Sequence, residues 1–593
     1  MKRSVLVLLL LLAPHVMLAG DARQPLTEEQ QIIHLLNRLG YGPRPGDIEK
    51  VRAMGIKAYI EQQLYPERIA DTAADKRLAA FTTLPKTMEE LEKVYPVVAP
   101  EGERYRGSAI RKEEGEKAFP PFAPRGSQPM EQPPSDKDDD SRAYRQQARI
   151  KPGEYELPKA RVVRAVYSER QLLEMMVDFW FNHFNVRISE NHLHDYEEQA
   201  LRPRVLGKFE DLLKATARHP AMLFYLDNWR SSAPVEVIQQ RLIASLQPTL
   251  NGRDRQVWRQ TMLSVRELKG LNENYGRELM ELHTLGVDGG YTQQDIIQVA
   301  KCFTGWTVTE WSEEGTRRTD TFVFNPLLHD SGDKVVLGRT IKSGGIEEGM
   351  QVLTMLAHHP STARFVSTKL VRRFVADDPP AEIVEAASRA FQKTGGDIRE
   401  VLRAILTHPQ FLAPQYYQAK FKKPLELVAS SLRAVNADLS FPPAPRRRMG
   451  QGGTAGIGGY MQDMGEQLYR RLTPDGYPDY AAAWVNSNAL LKRMEFANAL
   501  AAGQFSEAKP DLRAAQQLAR QLGLPQPNAE QVEQIRAQMA KASEEKKPKG
   551  GEMQSPSMMM EASAAKPGGT QPAASPEAIA LAYALGSPQF QKR

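Results

Sequence analysis

Apolar residues recur along most of this chain with the three- and four-residue spacing of amphipathic helices. The segment "SERQLLEMMVDFWFNHF" keeps this spacing over several turns, and "EEQQIIHLLNRLG" keeps it until a glycine ends the helix. Ser168 and Gln171 at the start of the first segment have the spacing of a helix capping box, as do Thr292 and Asp295 further along the chain. Strand-like alternation is confined to "WTVTEW", "TDTFVFN" and "KVVLGRTI", which lie between glycine-rich turns. The pattern predicts a mainly α fold, a multi-helix globular domain with a small β hairpin or sheet near 306–342.

Changes in composition divide the chain into regions. A polar, Pro-rich stretch predicts a flexible insertion, and a later low-complexity stretch predicts disorder. The last residues regain an amphipathic pattern, so we expect a terminal helix that docks on the core. The predicted regions are a signal peptide 1–19, an N-terminal helical segment 27–98, the polar insertion 99–158, a central helical region 159–305, a β-rich subdomain 306–342, a C-terminal helical region 343–524, a disordered segment 525–575 and the terminal helix 576–593.

The N-terminal residues have the layout of a secretory signal peptide. Lys2 and Arg3 precede a short apolar run, and small residues follow at Ala19 and Gly20. We therefore expect cleavage near Ala19–Gly20 and a periplasmic or secreted product. No later segment offers the roughly eighteen uninterrupted apolar residues of a membrane-spanning helix, so we expect no transmembrane segment in the mature chain.

Composition narrows the classes of function. Cys302 is the only cysteine among 593 residues, so an exported chain has no intramolecular disulfide and must rely on a large packed core. The formal net charge of +6 is a weak bias at this length and does not indicate a nucleic-acid partner. The sequence contains no nucleotide-binding glycine loop after a strand and no Cys/His metal spacing, and it identifies no cofactor.

The stretch "NENYGRELMELHTLG", which begins at Asn272, concentrates the candidate chemistry. With about 100° of rotation per residue, His283 projects from the helix face opposite Glu281. These two side chains therefore cannot bind one metal ion, and no metal site is predicted. One face of the helix collects four polar side chains: Asn274, Arg277, Glu278 and Glu281.

Two interpretations of this polar face remain open. Arg277 and Glu281 are four residues apart and could form a salt bridge on a solvated surface. Alternatively, the paired carboxylates beside a fixed cation could divide acid and base roles or hold a polar ligand. Under this second interpretation Glu278, Glu281 and Arg277 are candidate catalytic residues, and Asn274 is a candidate ligand-binding residue.

Three further features involve histidine. His183 projects from the apolar side of its helix, away from Glu174, Asp178 and Asn182, so it is either a satisfied core residue or a fourth catalytic candidate lining a pocket with the acidic helix. His329 and Asp330 in "NPLLHDSGDKVVLG" are either turn residues or ligand-binding residues. Three His-Pro pairs predict corners between helices, because proline suits the first turn of a new helix. They begin at His219, His359 and His408.

Taken together, several segments strongly resemble the bacterial family catalogued as domain of unknown function 1800. They include "HLLNRLGYGP", "WFNHFNV", "NENYGRELMELHTLG", "YTQQDIIQVAKCFTGW" and "MGEQLYRRLTPDGYPDYAAAWVNSNALLKRMEFANAL". The resemblance implies an exported helical protein whose activity is not established, and whose gene often neighbours one for a sulfatase-like protein, which is a candidate partner. It gives His183 and the face from Asn274 to Glu281 more weight but assigns them no role.

Two classes of function follow. The first is an exported hydrolase-type enzyme with an acid/base site between the helix of His183 and the helix of Glu278 and Glu281. The second is a non-catalytic envelope protein that binds or assembles a partner. A concave pocket that unites these residues would favour the enzyme, and a solvated acidic surface would favour the binding protein.

Overall fold

The structure is a computed structural model that describes residues 24–86, 90, 152–187, 194–246, 270–308, 321–441, 456–545 and 575–593. These residues form a mainly helical protein with short antiparallel two-stranded sheets, which confirms the predicted fold class. The predicted signal peptide 1–19 lies outside the described residues, as do most of the insertion 99–158 and residues 546–574 of the segment expected to be disordered.

Helices of the first half of the chain begin just after the predicted signal peptide region. The helix Pro152–Tyr167, α5 below, covers the last residues of the predicted insertion 99–158, so the insertion boundary at 158 was wrong. The helices are α1 (Glu28–Leu39), α2 (Asp47–Met54), α3 (Ile56–Leu64), α4 (Thr72–Leu78), α5 (Pro152–Tyr167), α6 (Gln171–His183), α7 (Phe209–Ala217), α8 (Pro220–Tyr225), α9 (Val235–Leu246), α10 (Asn274–Glu278) and α11 (Gln293–Cys302), with π-helical turns at Tyr196–Leu201 and Leu279–Thr284.

Helices of the second half continue to the terminal segment. The helix Ala529–Glu545, α20 below, occupies the first part of the segment 525–575, so the expectation of disorder was wrong for its residues. The helices are α12 (Ile346–Ala357), α13 (Pro360–Phe374), α14 (Ala381–Lys393), α15 (Ile398–Leu406), α16 (Pro424–Ala434), α17 (Ile457–Asp463), α18 (Ser487–Ala501), α19 (Leu512–Gln521), α20 (Ala529–Glu545) and α21 (Pro576–Gly586).

Strands are short and pair only with one neighbour each. The predicted β-rich region 306–342 forms two separate sheets, and a third sheet of two-residue strands was not predicted because so short a pair leaves no alternation in the sequence. The pairs are β1 (Trp306–Val308) with β2 (Phe322–Phe324), β3 (Lys334–Val336) with β4 (Arg339–Ile341), and β5 (Asp438–Leu439) with β6 (Ala508–Lys509).

Among the described residues, one large hydrophobic core joins the N-terminal, central and C-terminal helical regions, and a small separate cluster of Ala233, Ile238 and Leu242 lies at α9. The large core runs from Ile32 on α1 to Phe590 after α21, and it fully buries Trp180 and Trp306. Burial of such large apolar surfaces is the main favourable contribution to folding, and here it is shared by helices from every part of the chain. The regions are therefore parts of one packed unit.

Ionised side chains also lie inside this unit. Asp178 on α6 lies 3.1 Å from the Lys423 amine, 3.3 Å from the Arg373 guanidinium and 3.5 Å from that of Arg161. Burial acts to raise the pKa of Asp178, but these three cations together hold it below the ordinary value. Glu426 pairs with Arg373 in the same network. We call Arg161, Asp178, Arg373, Lys423 and Glu426 the charged core.

The three His-Pro pairs lie at corners between elements, as predicted. The imidazole Nδ1 of each histidine accepts a hydrogen bond from the backbone N–H two residues later, at 3.1 Å for His219, 3.1 Å for His359 and 3.2 Å for His408. Each histidine thus satisfies one free donor of the helix that its proline begins. These histidines have a structural role as helix caps.

Candidate functional site

The stretch "NENYGRELMELHTLG" folds as the short helix α10 followed directly by the π-helical turn Leu279–Thr284. The Leu285 amide donates to the carbonyl of Met280 at 2.8 Å, and the Thr284 hydroxyl donates to that of Leu279 at 2.6 Å. Isolated π-helical turns within α-helices are rare and occur often at functional sites. The regular 3.6-residue spacing of the sequence gave no sign of this turn.

Gly276 allows this helix to lie close to α11. A Cβ atom at position 276 would come within 3.1 Å of the Ile296 carbonyl oxygen and 3.1 Å of the Ala300 amide nitrogen. Both neighbours are backbone atoms of a regular helix and cannot move aside cheaply. The glycine between the two candidate polar residues Asn274 and Arg277 therefore fixes the position of the π-helical turn.

The buried side of the turn carries His283, which meets His183 at the end of α6. Nε2 of His183 lies 3.1 Å from the His283 carbonyl oxygen, and because that oxygen only accepts, Nε2 must donate. Burial lowers the pKa of His283 to about 3, with a further contribution from Lys369, and lowers that of His183 well below its usual range. Both rings are therefore neutral at pH 7, among the aromatic rings of Phe184 and Phe365.

The structure thus brings His183 to the predicted helix but not to its carboxylates. Its hydrogen bond goes to the main chain of the buried side, and Nδ1 has no hydrogen-bond partner among the residues that the structure describes. Glu281 is half-buried on the opposite side, whereas His283 is only 2% exposed. The predicted opposition of Glu281 and His283 is seen in these exposures, and His183 belongs with His283.

The half-buried side of the turn carries the two candidate glutamates. Burial raises the pKa of Glu278, nearby Glu281 and Asp475 raise it further, and Arg277 opposes the shift. Burial, followed by Glu278 and Asp475, raises the pKa of the Tyr225 hydroxyl to about 12. Asp475, which is ion-paired with Arg471 at 3.3 Å, therefore lies near enough to influence the ionisation of Glu278 and Tyr225. We call Glu278, Glu281 and Asp475 the carboxylate face.

Asp475 reaches this face because α6 holds its loop. The Asn182 side chain donates to the Tyr477 carbonyl at 2.8 Å and accepts from the Tyr477 amide at 2.6 Å. Gly476 adopts a φ of +73°, and a Cβ atom there would lie 2.2 Å from the Asn182 carbonyl oxygen. Only glycine fits this loop, which sequence reasoning did not connect with the glutamates because its "PDG" reads as an ordinary turn.

Arg277 does not complete the predicted set. Its guanidinium lies 2.9 Å from the Gln293 amide oxygen and 3.4 Å from the carboxylate of Glu273, and its side chain is 40% exposed. The expected salt bridge between Arg277 and Glu281 was wrong, since Arg277 pairs with the residue four positions before it. Arg277 therefore does not supply the cation that would keep Glu281 ionised.

Asn274 lies at the start of α10 and is exposed. Its backbone N–H donates to the Asn272 side-chain oxygen at 2.9 Å, and its side-chain amide donates to the Leu226 carbonyl at 3.5 Å. These contacts hold the beginning of the helix. Among the predicted polar face, only Glu278 and Glu281 join the carboxylate face.

His329 and Asp330 belong to a different cluster. His329 is buried, with Nδ1 at 2.8 Å from the Thr304 carbonyl and Nε2 at 3.0 Å from the carboxylate of Glu348. The Glu348 carboxylate also lies 2.6 Å from the Lys334 amine, which pairs with Asp330 at 3.4 Å. This network ties β3 to the start of α12. Its polar groups are used within the protein, as in the turn interpretation.

Metal ligation has no geometric support in the part of the chain that the structure describes. No group of three or more His, Cys, Asp or Glu side chains there is arranged to hold a metal ion. No helix in the same residues combines the length and apolar character needed to cross a membrane.

Fold and site together define a mainly helical protein in which a π-helical turn and a clamped loop present partly buried carboxylates. The chain belongs to the family described as protein of unknown function (DUF1800), whose model matches residues 34–592. No curated protein and no solved structure matches it significantly.

Proposed function

We propose that the carboxylate face of this protein binds a cationic group carried by a ligand or a partner protein. One observation carries the proposal. Glu278 is partly withdrawn from water beside Glu281 and Asp475, yet no cation among the described residues forms an ion pair with either glutamate. Asp475 has a counter-charge in Arg471 at 3.3 Å, whereas the two glutamates have none. Carboxylates without a counter-charge attract an ammonium or guanidinium group, and partial burial strengthens that attraction.

The geometry favours binding over the predicted four-residue acid/base site. Arg277 contacts Gln293, and His183 lies on the buried side of the π-helical turn. The remaining carboxylates are half-buried or exposed, which corresponds to a recognition surface more than to a closed reaction chamber.

A second candidate is the hydrolase-type enzyme, and the raised pKa of Glu278 favours it. A carboxyl group with a raised pKa beside an ionised partner can act as a general acid. Under this alternative Glu278 is the acid and Glu281 the base or nucleophile, with no contribution from Arg277 or His183.

Export is part of the proposal. Residues 1–19 have the signal-peptide layout, so the binding protein would act in the periplasm or outside the cell. The sulfatase-like protein implied by the family resemblance is then a candidate partner carrying the cationic group. Sequencing of the N-terminus of the protein recovered from the cell envelope tests this, and an intact N-terminus would overturn it.

Titration calorimetry with spermidine and a tetra-arginine peptide tests the binding function. We expect the Glu278→Gln/Glu281→Gln double variant to bind at least about tenfold more weakly than the parent, because both ion pairs are lost. The matched control is Glu382→Gln/Glu385→Gln, which removes the same charge at the same spacing from the exposed side of α14.

The control separates a site from general charge attraction. If both double variants lose affinity equally, or if the parent binds neither probe, the proposed binding function is wrong. A parallel screen with chromogenic carboxylate, phosphate and sulfate esters and glycosides tests the alternative. Turnover by the parent that disappears in Glu278→Gln would establish the enzyme instead.

A further inference from the structure

A cleft lies beside the C-terminal residues, which are distant in sequence from the two glutamates of the carboxylate face. Its cavity volume is about 20 Å³, and the cleft opens to solvent. Its wall combines apolar side chains with amides and one amine. The residues that matter below are Ile33, Asn37, Lys422, Gln589 and Phe590. We call this the lysine cleft.

Lys422 belongs to a run of buried lysines just before α16, and its surroundings differ from those of its neighbours. The Lys420 amine lies 2.6 Å from the Asp377 carboxylate, and the Lys423 amine lies 3.1 Å from that of Asp178. Both amines are therefore ion-paired. Lys422 is equally buried, at 4% exposure, but forms no ion pair and no side-chain hydrogen bond with any residue that the structure describes.

The Lys422 side chain packs against an aromatic ring. The Lys422 amine lies 3.8 Å from the centre of the Phe590 ring. The main chain holds this pair in position, because the Lys422 amide donates to the Gln591 carbonyl at 2.9 Å and Phe421 forms a β-bridge with Lys592. The amine is thus fixed at the wall of a cleft without an anionic partner.

This environment favours the uncharged amine. Burial lowers the pKa of Lys422 to about 7, with Arg593 and Arg493 adding to the shift and Glu426 opposing it. About half of the Lys422 side chains are neutral at pH 7, whereas only on the order of one in a thousand solvent-exposed lysines is neutral there. A neutral amine is a nucleophile, and lysines in apolar pockets are activated in this way.

We propose that Lys422 is the reactive amine of a second site, which captures small carbonyl compounds as an imine in the lysine cleft. The nitrogen lone pair adds to the carbonyl carbon while the C=O π bond breaks. The carbonyl oxygen then leaves with the two amine hydrogens as one water molecule, and a C=N bond forms. Nothing is oxidised or reduced, and water reverses the reaction.

The cleft supplies further contacts for such a compound. Gln589, which is exposed, also lines the cleft and carries an amide that can donate to an oxygen atom, whereas the Asn37 amide already donates to the Ile33 carbonyl at 2.9 Å. Ile33 and Phe590 offer apolar surface for a short carbon chain. The limited space favours small aldehydes and ketones over larger ones.

Reductive alkylation of the full-length protein tests the proposal. Acetaldehyde and sodium cyanoborohydride are added at pH 7, and the ethyl groups on each lysine are followed by peptide mass spectrometry. We expect Lys422 to be modified at least about tenfold faster than Lys592, which is exposed at the rim of the cleft. Lys423 should stay unmodified, because its neighbouring Asp178 outweighs burial and raises its pKa.

Two comparisons make the result decisive. At pH 10 the advantage of Lys422 should disappear, because exposed lysines also lose their protons. Lys422→Arg should abolish the fast phase of modification, and the matched rim variant Lys592→Arg should leave it unchanged. Modification of Lys422 no faster than that of Lys592 at pH 7 would overturn the proposal, as would a Lys422 that stays unmodified at both pH values.

Discussion

The charged core and the carboxylate face both contain acidic groups from distant parts of the chain. They differ in whether cations accompany those acidic groups. In the core Asp178 meets three cations, and Glu426 meets two arginines. On the face Glu278 lies beside other carboxylates, and its pKa is raised. Balanced charge in the interior contributes to structure, whereas the two glutamates of the face form no ion pair with any residue that the structure describes.

The histidines extend the comparison. His183 and His283 lie directly behind the carboxylate face, yet burial keeps both rings uncharged. The interior of this protein therefore contains one region built for paired ions and one built for neutral rings. Four substitutions or conditions test whether these regions differ as described.

The largest effect is expected for Asp178→Ala. Loss of this carboxylate leaves Arg161, Arg373 and Lys423 buried without their shared partner, and breaking a buried pair in this way costs about 3 to 5 kcal/mol. The midpoint of urea unfolding measures the loss. Asp475→Ala, which removes a carboxylate from the face, is the control and should unfold close to the parent. Similar midpoints for the two variants would show that the charged core and the carboxylate face do not differ in their contribution to stability.

Acidification should destabilise the protein through His183 and His283. Their folded-state pKa values lie below the ordinary 6.5, so the unfolded chain binds protons first as the pH falls. Stability present above pH 6.5 is lost as the pH falls toward the folded value of about 3 for His283, at about 1.4 kcal/mol per pH unit for each histidine. Unfolding of His283→Gln measured from pH 7 to pH 5 should show a smaller slope than the parent. An unchanged slope would show that His283 is not held neutral.

Glu278→Gln should leave the stability at pH 7 unchanged or raise it slightly, which is a smaller effect than that of the histidines and of opposite sign. A folded-state pKa raised above 4.5 means that protonation stabilises the fold below pH 4.5, and that this stability is lost as the pH rises through the raised value. Glutamine carries no charge at any pH, so the variant should melt at or slightly above the parent at pH 7, by less than about 1 kcal/mol for a half-exposed group. The two should converge at pH 4. A clear destabilisation at pH 7 would mean that Glu278 has a stabilising partner.

Arg277→Ala should have the smallest effect. The guanidinium is 40% exposed and contacts only Glu273 and Gln293 in the described residues, so its loss should cost less than about 0.5 kcal/mol. Thermal melting checks this. A cost comparable to that of Asp178→Ala would place Arg277 in a buried network and return it to the candidate site.

Local signals in the sequence predicted local structure well. The capping box at Thr292 and Asp295 is present, and the His-Pro pairs lie at corners. The similar box predicted for Ser168 and Gln171 was wrong, because the Ser168 hydroxyl instead donates to Asp71 at 2.7 Å. A cap depends on residues three apart, but a competing partner nearly a hundred positions away leaves no local trace.

The same limit applies to the site. The opposition of Glu281 and His283 followed from helix geometry, but three features did not. Asp178 was expected opposite the core face of α6, because its cationic partners come from distant parts of the chain and leave no local signal. The π-helical turn changes the spacing without changing the residues, and Asp475 joins the glutamates only through the Asn182 contacts with its loop. Each of these depends on tertiary contacts.

The charged core also has a consequence for how the chain folds. Asp178 pairs with Arg373 and Lys423, which follow it by 195 and 245 residues. Contacts of such high sequence separation form slowly, because long loops must close before any stabilisation is gained. Until then these charges prefer water and oppose burial of the helices that carry them. Refolding should therefore pass through a populated intermediate with formed helices and a hydrated centre, and the closing of these ion pairs should be a late step.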